Sequence, residues 1–157
     1  MEIKTIVVLF RFLVEAVARL HDDYSVCHRD LKPDNVIVSD CLTSLKLIDF
    51  NVAVCYKETG GNIQGGTGYK HWSAPETRKD LNYNEKCDVW SLGLILVFML
   101  TNGGMPKEEL SFEENKAQAL LCSPAPTKGL IEQMLAFSAS ERPSASSCLN
   151  LIDDLII

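Results

Sequence analysis

A run of eight residues, 28–35, constrains what this chain can fold into more than any other feature. It reads His-Arg-Asp-Leu-Lys-Pro-Asp-Asn and places a carboxylate (Asp30), a cation (Lys32) and a neutral amide (Asn35) within six positions. Pro33 fixes its own φ and moves the preceding residue toward an extended backbone. These three polar side chains therefore cannot share one continuous helix, and we expect a structured loop.

Two further motifs follow this loop along the chain. Fourteen residues beyond Asn35, an apolar run ends in Asp49-Phe50-Asn51, and after a turn-rich gap comes Ala74-Pro75-Glu76. In isolation, Asp30 is typical of an aspartate that caps a turn, and residues 49–50 are typical of a strand end. The order and spacing of the three motifs together carry more information than any one of them.

This set of motifs resembles the C-terminal lobe of the eukaryotic protein kinase superfamily, serine/threonine type, over nearly the whole chain. The resemblance implies a mainly α, α+β kinase-like fold, represented by a helical lobe with a small β-hairpin that carries metal-binding residues. It implies one unit over residues 1–157, with a catalytic loop at 28–35 and an activation segment at 49–76. Lys32, two residues after Asp30, matches the serine/threonine-type pattern.

The chemistry of phosphoryl transfer explains why these residue types matter. The reaction needs a carboxylate near the acceptor hydroxyl, oxygen ligands for Mg²⁺ and a cation near the transferred group. The resemblance implies that Asp30 is the catalytic base and that Lys32 contacts the γ-phosphate of ATP. It also implies that Asn35 and Asp49 hold Mg²⁺ against the phosphates, and that Ile37 forms the floor of the adenine pocket.

A second group of residues matches positions that support the catalytic loop in this family. Glu76 and Arg142 match a buried ion pair that fastens the end of the activation segment to the lobe. Asp88 matches the helix residue that hydrogen-bonds the backbone of the catalytic loop. His28 and Phe50 resemble members of a packed column that links the two lobes of a kinase.

Residues 55–70 contain five glycines, but their spacing fits neither the dinucleotide-binding nor the P-loop pattern. We predict a mobile loop there rather than a phosphate cradle. In the resemblance this stretch belongs to the activation segment, and Arg29 beside Asp30 implies control by a phosphate on that segment. The candidate phosphorylation sites are Thr59, Thr67 and Tyr69.

Hydrophobic periodicity predicts that most of the remaining chain is helical. Short β-prone runs at 36–38 and 45–48 flank a turn and predict the hairpin. The predicted helices run from 3 to about 23, from 84 or 85 to about 101, near 113–122, around 130–135, and after an N-cap at Ser144 through 155.

Composition narrows the possible partners. The net charge of −6 gives no electrostatic reason to expect nucleic acid or an anionic membrane surface. The six cysteines include no Cys-x-x-Cys pair, so we expect reduced thiols and neither a disulfide framework nor a zinc finger. The longest apolar run, 92–100, is too short to span a bilayer, and no secretory signal is evident. A cytoplasmic location is the default.

The chain departs from the family pattern at three places. Asn51 stands where the family usually has glycine, and asparagine tolerates the left-handed region that such a turn requires. Residues 66–74 contain two extra residues or a shifted register. The chain begins at the helix before the catalytic loop, so we expect it to lack an N-terminal lobe. We therefore expect the isolated polypeptide to bind ATP weakly and to phosphorylate slowly or not at all.

Two functions follow from these observations. The first is a partial protein serine/threonine kinase domain that uses ATP and Mg²⁺, with a protein substrate and a separate N-lobe or regulatory protein as partners. The alternative is a catalytically inactive, truncated kinase lobe that acts as a protein-interaction module through exposed apolar surface. A native protein much larger than the 17.5 kDa of this chain would favour the kinase function. A native protein of about 17.5 kDa would favour the interaction module.

Overall fold

Five α-helices and two short antiparallel ribbons form the described part of the chain in the computed structural model, which covers residues 2–66, 71–79, 82–104, 107 and 109–156. This architecture confirms the predicted mainly α fold. None of the helices in those ranges is long and apolar enough to cross a membrane. The helices are α1 (Ile3–Asp22), α2 (Lys86–Leu100), α3 (Phe112–Cys122), α4 (Ala125–Met134) and α5 (Ala145–Ile156), and the strands are β1 (Val26–Cys27), β2 (Val36–Val38), β3 (Leu45–Leu47) and β4 (Val54–Cys55).

Helix α1 forms because apolar residues recur every three or four positions along its 20 residues. The face that they create packs against α5, α2 and the β2–β3 hairpin. On its more exposed side, Arg11 Nε lies 2.7 Å from Asp153 Oδ1 of α5, a half-exposed pair that stabilises the fold little. The buried residues of α1 are Ile6, Val7, Leu9, Phe10, Leu13, Val14, Val17, Ala18 and His21.

Helix α2 lies at the centre of the molecule, and every residue from 87 to 97 is buried. At Gly93, a Cβ atom would come within 3.0 Å of the side chains of Met134 and Leu135, so the glycine allows α4 to pack closely. The helix stops as predicted at the glycine pair after Leu100. Asn102 and Gly103 have φ values of 54° and 90°, and the Gly103 N–H donates to the carbonyl of Phe98 at 2.8 Å.

The two ribbons hold the ends of the 28–35 loop. Strands β2 and β3 form the predicted hairpin, with Val36 opposite Leu47. Strands β1 and β4 form a second ribbon that the sequence did not predict, with Val26 opposite Cys55. Because β1 precedes the loop and β2 follows it, both of its ends are fixed by backbone pairing.

The ends of the C-terminal helices carry side-chain caps. Ser111 and Glu114 form a reciprocal capping box at the start of α3. At the start of α5, the Ser147 N–H donates to Ser144 Oγ at 3.0 Å, which agrees with the N-cap predicted for Ser144.

Candidate active site

Asp30, Lys32 and Asn35 meet in one hydrogen-bonded cluster. Lys32 Nζ donates to Asp30 Oδ2 at 2.8 Å, and Asn35 Nδ2 donates to the same oxygen at 3.1 Å and to the Asp30 carbonyl at 2.7 Å. The backbone achieves this because Lys32 is extended and residues 33–35 form a single 3₁₀ turn beginning at Pro33. The hydrogen bond to Asp30 raises the pKa of the Lys32 ammonium, against a smaller lowering by burial.

Asp49 follows β3, at the same end of the hairpin as Asn35. The two ends are tied by a hydrogen bond from the Ile48 N–H to the Asn35 carbonyl at 3.0 Å. The exposed Asp49 carboxylate contributes to the raised pKa of Lys32. The hairpin thus brings an acid that lies 14 positions beyond Asn35 back to the loop.

The turn after β3 differs from the expectation for Asn51. The left-handed residue is Asp49, with φ of 61°, and Asn51 does not have a positive φ. Aspartate tolerates this region because its short side chain can hydrogen-bond locally. Here Asp49 Oδ1 accepts from the Asn51 N–H at 3.4 Å. The residue that adopts the left-handed conformation is therefore Asp49, two residues before the position where the family usually has glycine.

Asp88 holds the backbone of the 28–35 loop. Its carboxylate, which is 1% exposed, accepts from the N–H of His28 at 2.8 Å and the N–H of Arg29 at 2.9 Å. The ring Nε2 of His21 lies 2.9 Å from Asp88 Oδ2. Burial raises the pKa of the Asp88 carboxyl, but the His21 contact and the two backbone donors outweigh it, and the pKa is lowered overall.

Glu76 and Arg142 form a bidentate ion pair. Arg142 Nη1 and Nη2 lie 2.6 and 2.9 Å from the two carboxylate oxygens of Glu76. The Arg142 side chain is fully buried and also donates to the carbonyls of Lys86, Ala136 and Phe137. Its guanidinium lies 4.9 Å from the centre of the Trp90 ring. These contacts join the end of the 49–76 segment to the helical core.

His28 and Phe50 are in contact next to the loop, and Ile37 lies in strand β2, which follows it. The rings of His28 and Phe50 are 4.8 Å apart, and His28 Nε2 lies 3.0 Å from the Ile48 carbonyl. The fully buried His28 imidazole thus joins the loop to the end of the hairpin. Ile37 and Phe50 are 51% and 44% exposed, so both present apolar surface to solvent.

The Arg29 side chain contacts the segment 49–76, which the sequence predicted to be an activation segment. With φ of 69°, Arg29 directs Nε to the Val52 carbonyl at 2.8 Å and Nη1 to the Gln64 carbonyl at 3.1 Å. A further contact, at 3.2 Å, joins Nη1 to Tyr83 Oη. Among the candidate phosphorylation sites, Thr59 is exposed. The other two, Thr67 and Tyr69, lie outside the described residues.

The sequence did not single out His21, which the structure places against Asp88. A signal was present, because His21 continues the buried face of α1 three and four positions after Ala18 and Val17. A polar residue on the apolar stripe of a helix needs a buried partner.

The donor set at this end of the hairpin fits Mg²⁺. Carboxylate and amide oxygens are the hard ligands that Mg²⁺ prefers. The amide nitrogen of Asn35 is engaged with Asp30, which leaves its amide oxygen as the atom that a cation could contact. The exposed Asp49 carboxylate supplies a second oxygen donor, and Lys32 adds positive charge suited to a phosphate.

Comparison with known proteins agrees with this geometry. The model of the protein kinase domain family matches residues 1–151. Human ribosomal protein S6 kinase alpha-4 is 36% identical over 114 residues, which cover 71% of this chain and 15% of that protein. Calcium-dependent protein kinase 6 of Plasmodium berghei (strain Anka) is 30% identical over 91% of this chain and 10% of its own length. Serine/threonine-protein kinase chk-2 of Caenorhabditis elegans is 33% identical over 85% of this chain and 30% of its own length. The chain thus spans less than a third of each relative, and it belongs to the protein kinase family.

Proposed function

We propose that this chain carries the catalytic loop of a protein serine/threonine kinase, which transfers the γ-phosphoryl group of ATP to serine or threonine hydroxyls of proteins. The observation that carries the proposal is the convergence of Asp30, Lys32 and Asn35, with Asp49 at the same end of the hairpin. Membership of the protein kinase family supports it, as does the name of the relative from Caenorhabditis elegans.

Asp30 is the residue that would act on the acceptor. Its carboxylate is held by Lys32 and Asn35, so its orientation is set before a substrate arrives. Its side chain is 14% exposed, which leaves it within reach of a hydroxyl. In this position it would orient the hydroxyl and take its proton as the new O–P bond forms, a contribution of about 10²–10⁴-fold in rate.

Lys32 would neutralise charge on the transferred group. Its hydrogen bond to Asp30 raises its pKa, so the ammonium stays protonated at neutral pH. A fixed positive charge beside the acceptor carboxylate suits the loose transition state of phosphoryl transfer, in which negative charge is spread over the phosphoryl oxygens.

Asn35 and Asp49 would hold Mg²⁺, and the exposed Ile37 would supply apolar surface for the adenine ring. When bound, Mg²⁺ neutralises charge on the ATP phosphates and fixes their orientation. The amide of Asn35 suits its place because it provides an oxygen ligand without adding negative charge next to Asp30.

Phosphate transfer to a serine-containing peptide tests this function, and Asp30→Asn is the informative variant. The measurement uses the native protein purified from its own cells as well as this chain, for which slow turnover is expected. We expect Asp30→Asn to lower the turnover number by about 100-fold or more with little change in folding. Asp40→Asn, an exposed aspartate in the hairpin turn, is the matched control and should retain activity.

The Asp30→Asn variant also decides whether any observed phosphate transfer belongs to this protein. Transfer that is equal in the parent and Asp30→Asn would show that the activity comes from a contaminant, and the proposal would fall. A peptide with tyrosine in place of serine should accept little phosphate. Its preferential labelling would contradict the serine/threonine assignment.

A further inference from the structure

A buried tyrosine links the 28–35 loop to the glycine-rich part of the segment 49–76. Tyr83, which is 4% exposed, lies shortly before the start of α2. Its hydroxyl donates to the carbonyl of Gly65 at 2.8 Å and accepts from Nη1 of Arg29 at 3.2 Å. A phenolic hydroxyl has a proton to donate and lone pairs that accept, so it can make both hydrogen bonds at once. The Tyr83 side chain therefore contacts the loop and the segment together.

The backbone of Tyr83 holds the same segment. The Ile63 N–H donates to the Tyr83 carbonyl at 2.8 Å, and the Tyr83 N–H donates to the Ile63 carbonyl at 3.1 Å. Ile63 is 1% exposed, but its glycine neighbours add little packing, because even a Cβ atom at Gly61 or Gly65 would meet nothing within 4 Å. A segment with few packing contacts depends on its hydrogen bonds for local order.

Arg29 completes the link, because it lies directly before Asp30 in the loop. Its Nε donates to the Val52 carbonyl at 2.8 Å, and its Nη1 donates to the Gln64 carbonyl at 3.1 Å as well as to Tyr83. These acceptors are neutral oxygens, whereas a phosphate on the segment would offer anionic oxygens to the same guanidinium. The neutral oxygens already bring the segment to the loop, so the contact needs no added charge.

We propose that Tyr83 is a positioning residue, whose hydroxyl acts through Arg29 to hold residues 60–66 against the 28–35 loop without phosphorylation of the segment. The proposal rests on the proposed function, since it concerns the regulation of that same site. The effect of Tyr83 on Asp30 passes through Arg29, the residue that a phosphate would otherwise engage. Order of the segment therefore comes from a residue of the fold and not from a modification.

Amide hydrogen exchange of the unphosphorylated chain tests the proposal without any phosphoryl transfer. The chain is produced in bacteria, and mass spectrometry checks that it carries no phosphate. The reporter is the Ile63 N–H, which can exchange only when the segment separates from Tyr83. We expect this amide to exchange at least about 100-fold more slowly than in an unfolded peptide.

Removal of the hydroxyl should loosen the segment. Tyr83→Phe keeps the ring and the backbone pair but loses both hydrogen bonds of the hydroxyl, one of them from a charged group. We expect the Ile63 amide to exchange about tenfold faster in this variant. Tyr24→Phe, at a tyrosine that is 61% exposed, is the matched control and should leave the exchange rate unchanged. Circular dichroism confirms that both variants are folded.

A double-mutant cycle shows whether Tyr83 acts through Arg29. Once Arg29→Met has removed the guanidinium, Tyr83→Phe can remove only the bond to Gly65. Its effect on the exchange rate of Ile63 should therefore fall from about tenfold to about threefold or less. A tyrosine that only fills space would have the same effect in both backgrounds.

Three outcomes would overturn the proposal. The first is an Ile63 amide that exchanges in the unphosphorylated parent as fast as in an unfolded peptide. The second is unchanged exchange in Tyr83→Phe, and the third is an equal effect of Tyr83→Phe in the parent and in Arg29→Met. A failure of the peptide assay would count against the proposed function and would change none of these exchange rates, so the two failures are distinguishable.

Discussion

At the scale of single residues, the conformation of the 28–35 loop depends on Asp88. A backbone that places Arg29 at positive φ is unfavourable for a residue with a side chain, so it needs external support. The buried carboxylate provides this support by accepting from two successive backbone N–H groups. No apolar residue could replace it without leaving both donors unpaired.

The first prediction concerns Asp88→Asn. An amide has one acceptor oxygen and one donor nitrogen, so one of the two backbone N–H groups would face another donor. We expect the free energy of unfolding to fall by about 3 kcal/mol, measured by urea denaturation. Asp153→Asn, which breaks a half-exposed pair with Arg11, is the matched control and should change the free energy of unfolding far less.

The effect of Asp88 should depend on pH in a defined direction. Because its pKa is lowered in the fold, its ionised form contributes fully above the unfolded value of about 3.9. As pH falls from that value through the folded pKa, the contribution is lost. The stability difference between the parent and Asp88→Asn should therefore shrink below about pH 4. A difference that grows on acidification would contradict the lowered pKa.

At the scale of elements, α2 packs closely on α4. For this reason, replacing two different glycines by alanine should have opposite effects on stability. A Cβ at Gly93 would lie 3.0 Å from Met134 and Leu135, whereas a Cβ at Gly129 on α4 would meet nothing within 4 Å. Alanine has the higher helix propensity at both positions. Only at the first does the steric conflict with the neighbouring helix outweigh that gain.

We therefore predict that Gly93→Ala lowers the free energy of unfolding by about 1–3 kcal/mol. Gly129→Ala should raise it by about 0.5–1 kcal/mol, because the substitution improves an exposed helical position. Urea denaturation of both variants gives a matched comparison. Equal effects of the two substitutions would show that α2 and α4 do not pack as closely as the distances indicate.

The elements also show what the sequence can and cannot predict. Helices α1 and α2 were predicted to within two residues at each end, because long apolar patterns and a terminal glycine pair define them. The β1–β4 ribbon was missed because two-residue strands are too short to show alternation. Asn51 was expected only to tolerate the left-handed region, and the structure places that conformation at Asp49, because both residue types tolerate it and only the hydrogen bonding decides.

At the scale of the whole molecule, the candidate site combines local and distant contributions. The run 28–35 predicted that Asp30, Lys32 and Asn35 would share a loop, since Pro33 excludes a helix. The hairpin pattern predicted that Asp49 would return to that loop. The hydrogen bond between His21 and Asp88 could not be predicted from spacing, because these residues are 67 positions apart and meet only when α1 packs on α2.

The last prediction concerns the effect of Mg·ATP binding on the stability of the whole chain. A ligand that binds only the folded chain raises the free energy of unfolding by RT ln(1 + [L]/Kd), which is about 1.4 kcal/mol at ten times Kd. For a chain of this size we expect Mg·ATP to raise Tm by roughly 3–6 °C. Weak binding would require millimolar nucleotide. ATP with a chelator should give a smaller shift, because the γ-phosphate charge would then face Asp30 and Asp49 without a metal.

Asp49→Asn should lose the Mg²⁺-dependent part of the shift, and Asp40→Asn should keep it. An equal shift in Asp49→Asn would place nucleotide binding away from the hairpin, because the carboxylate is the one charged ligand assigned to the metal there.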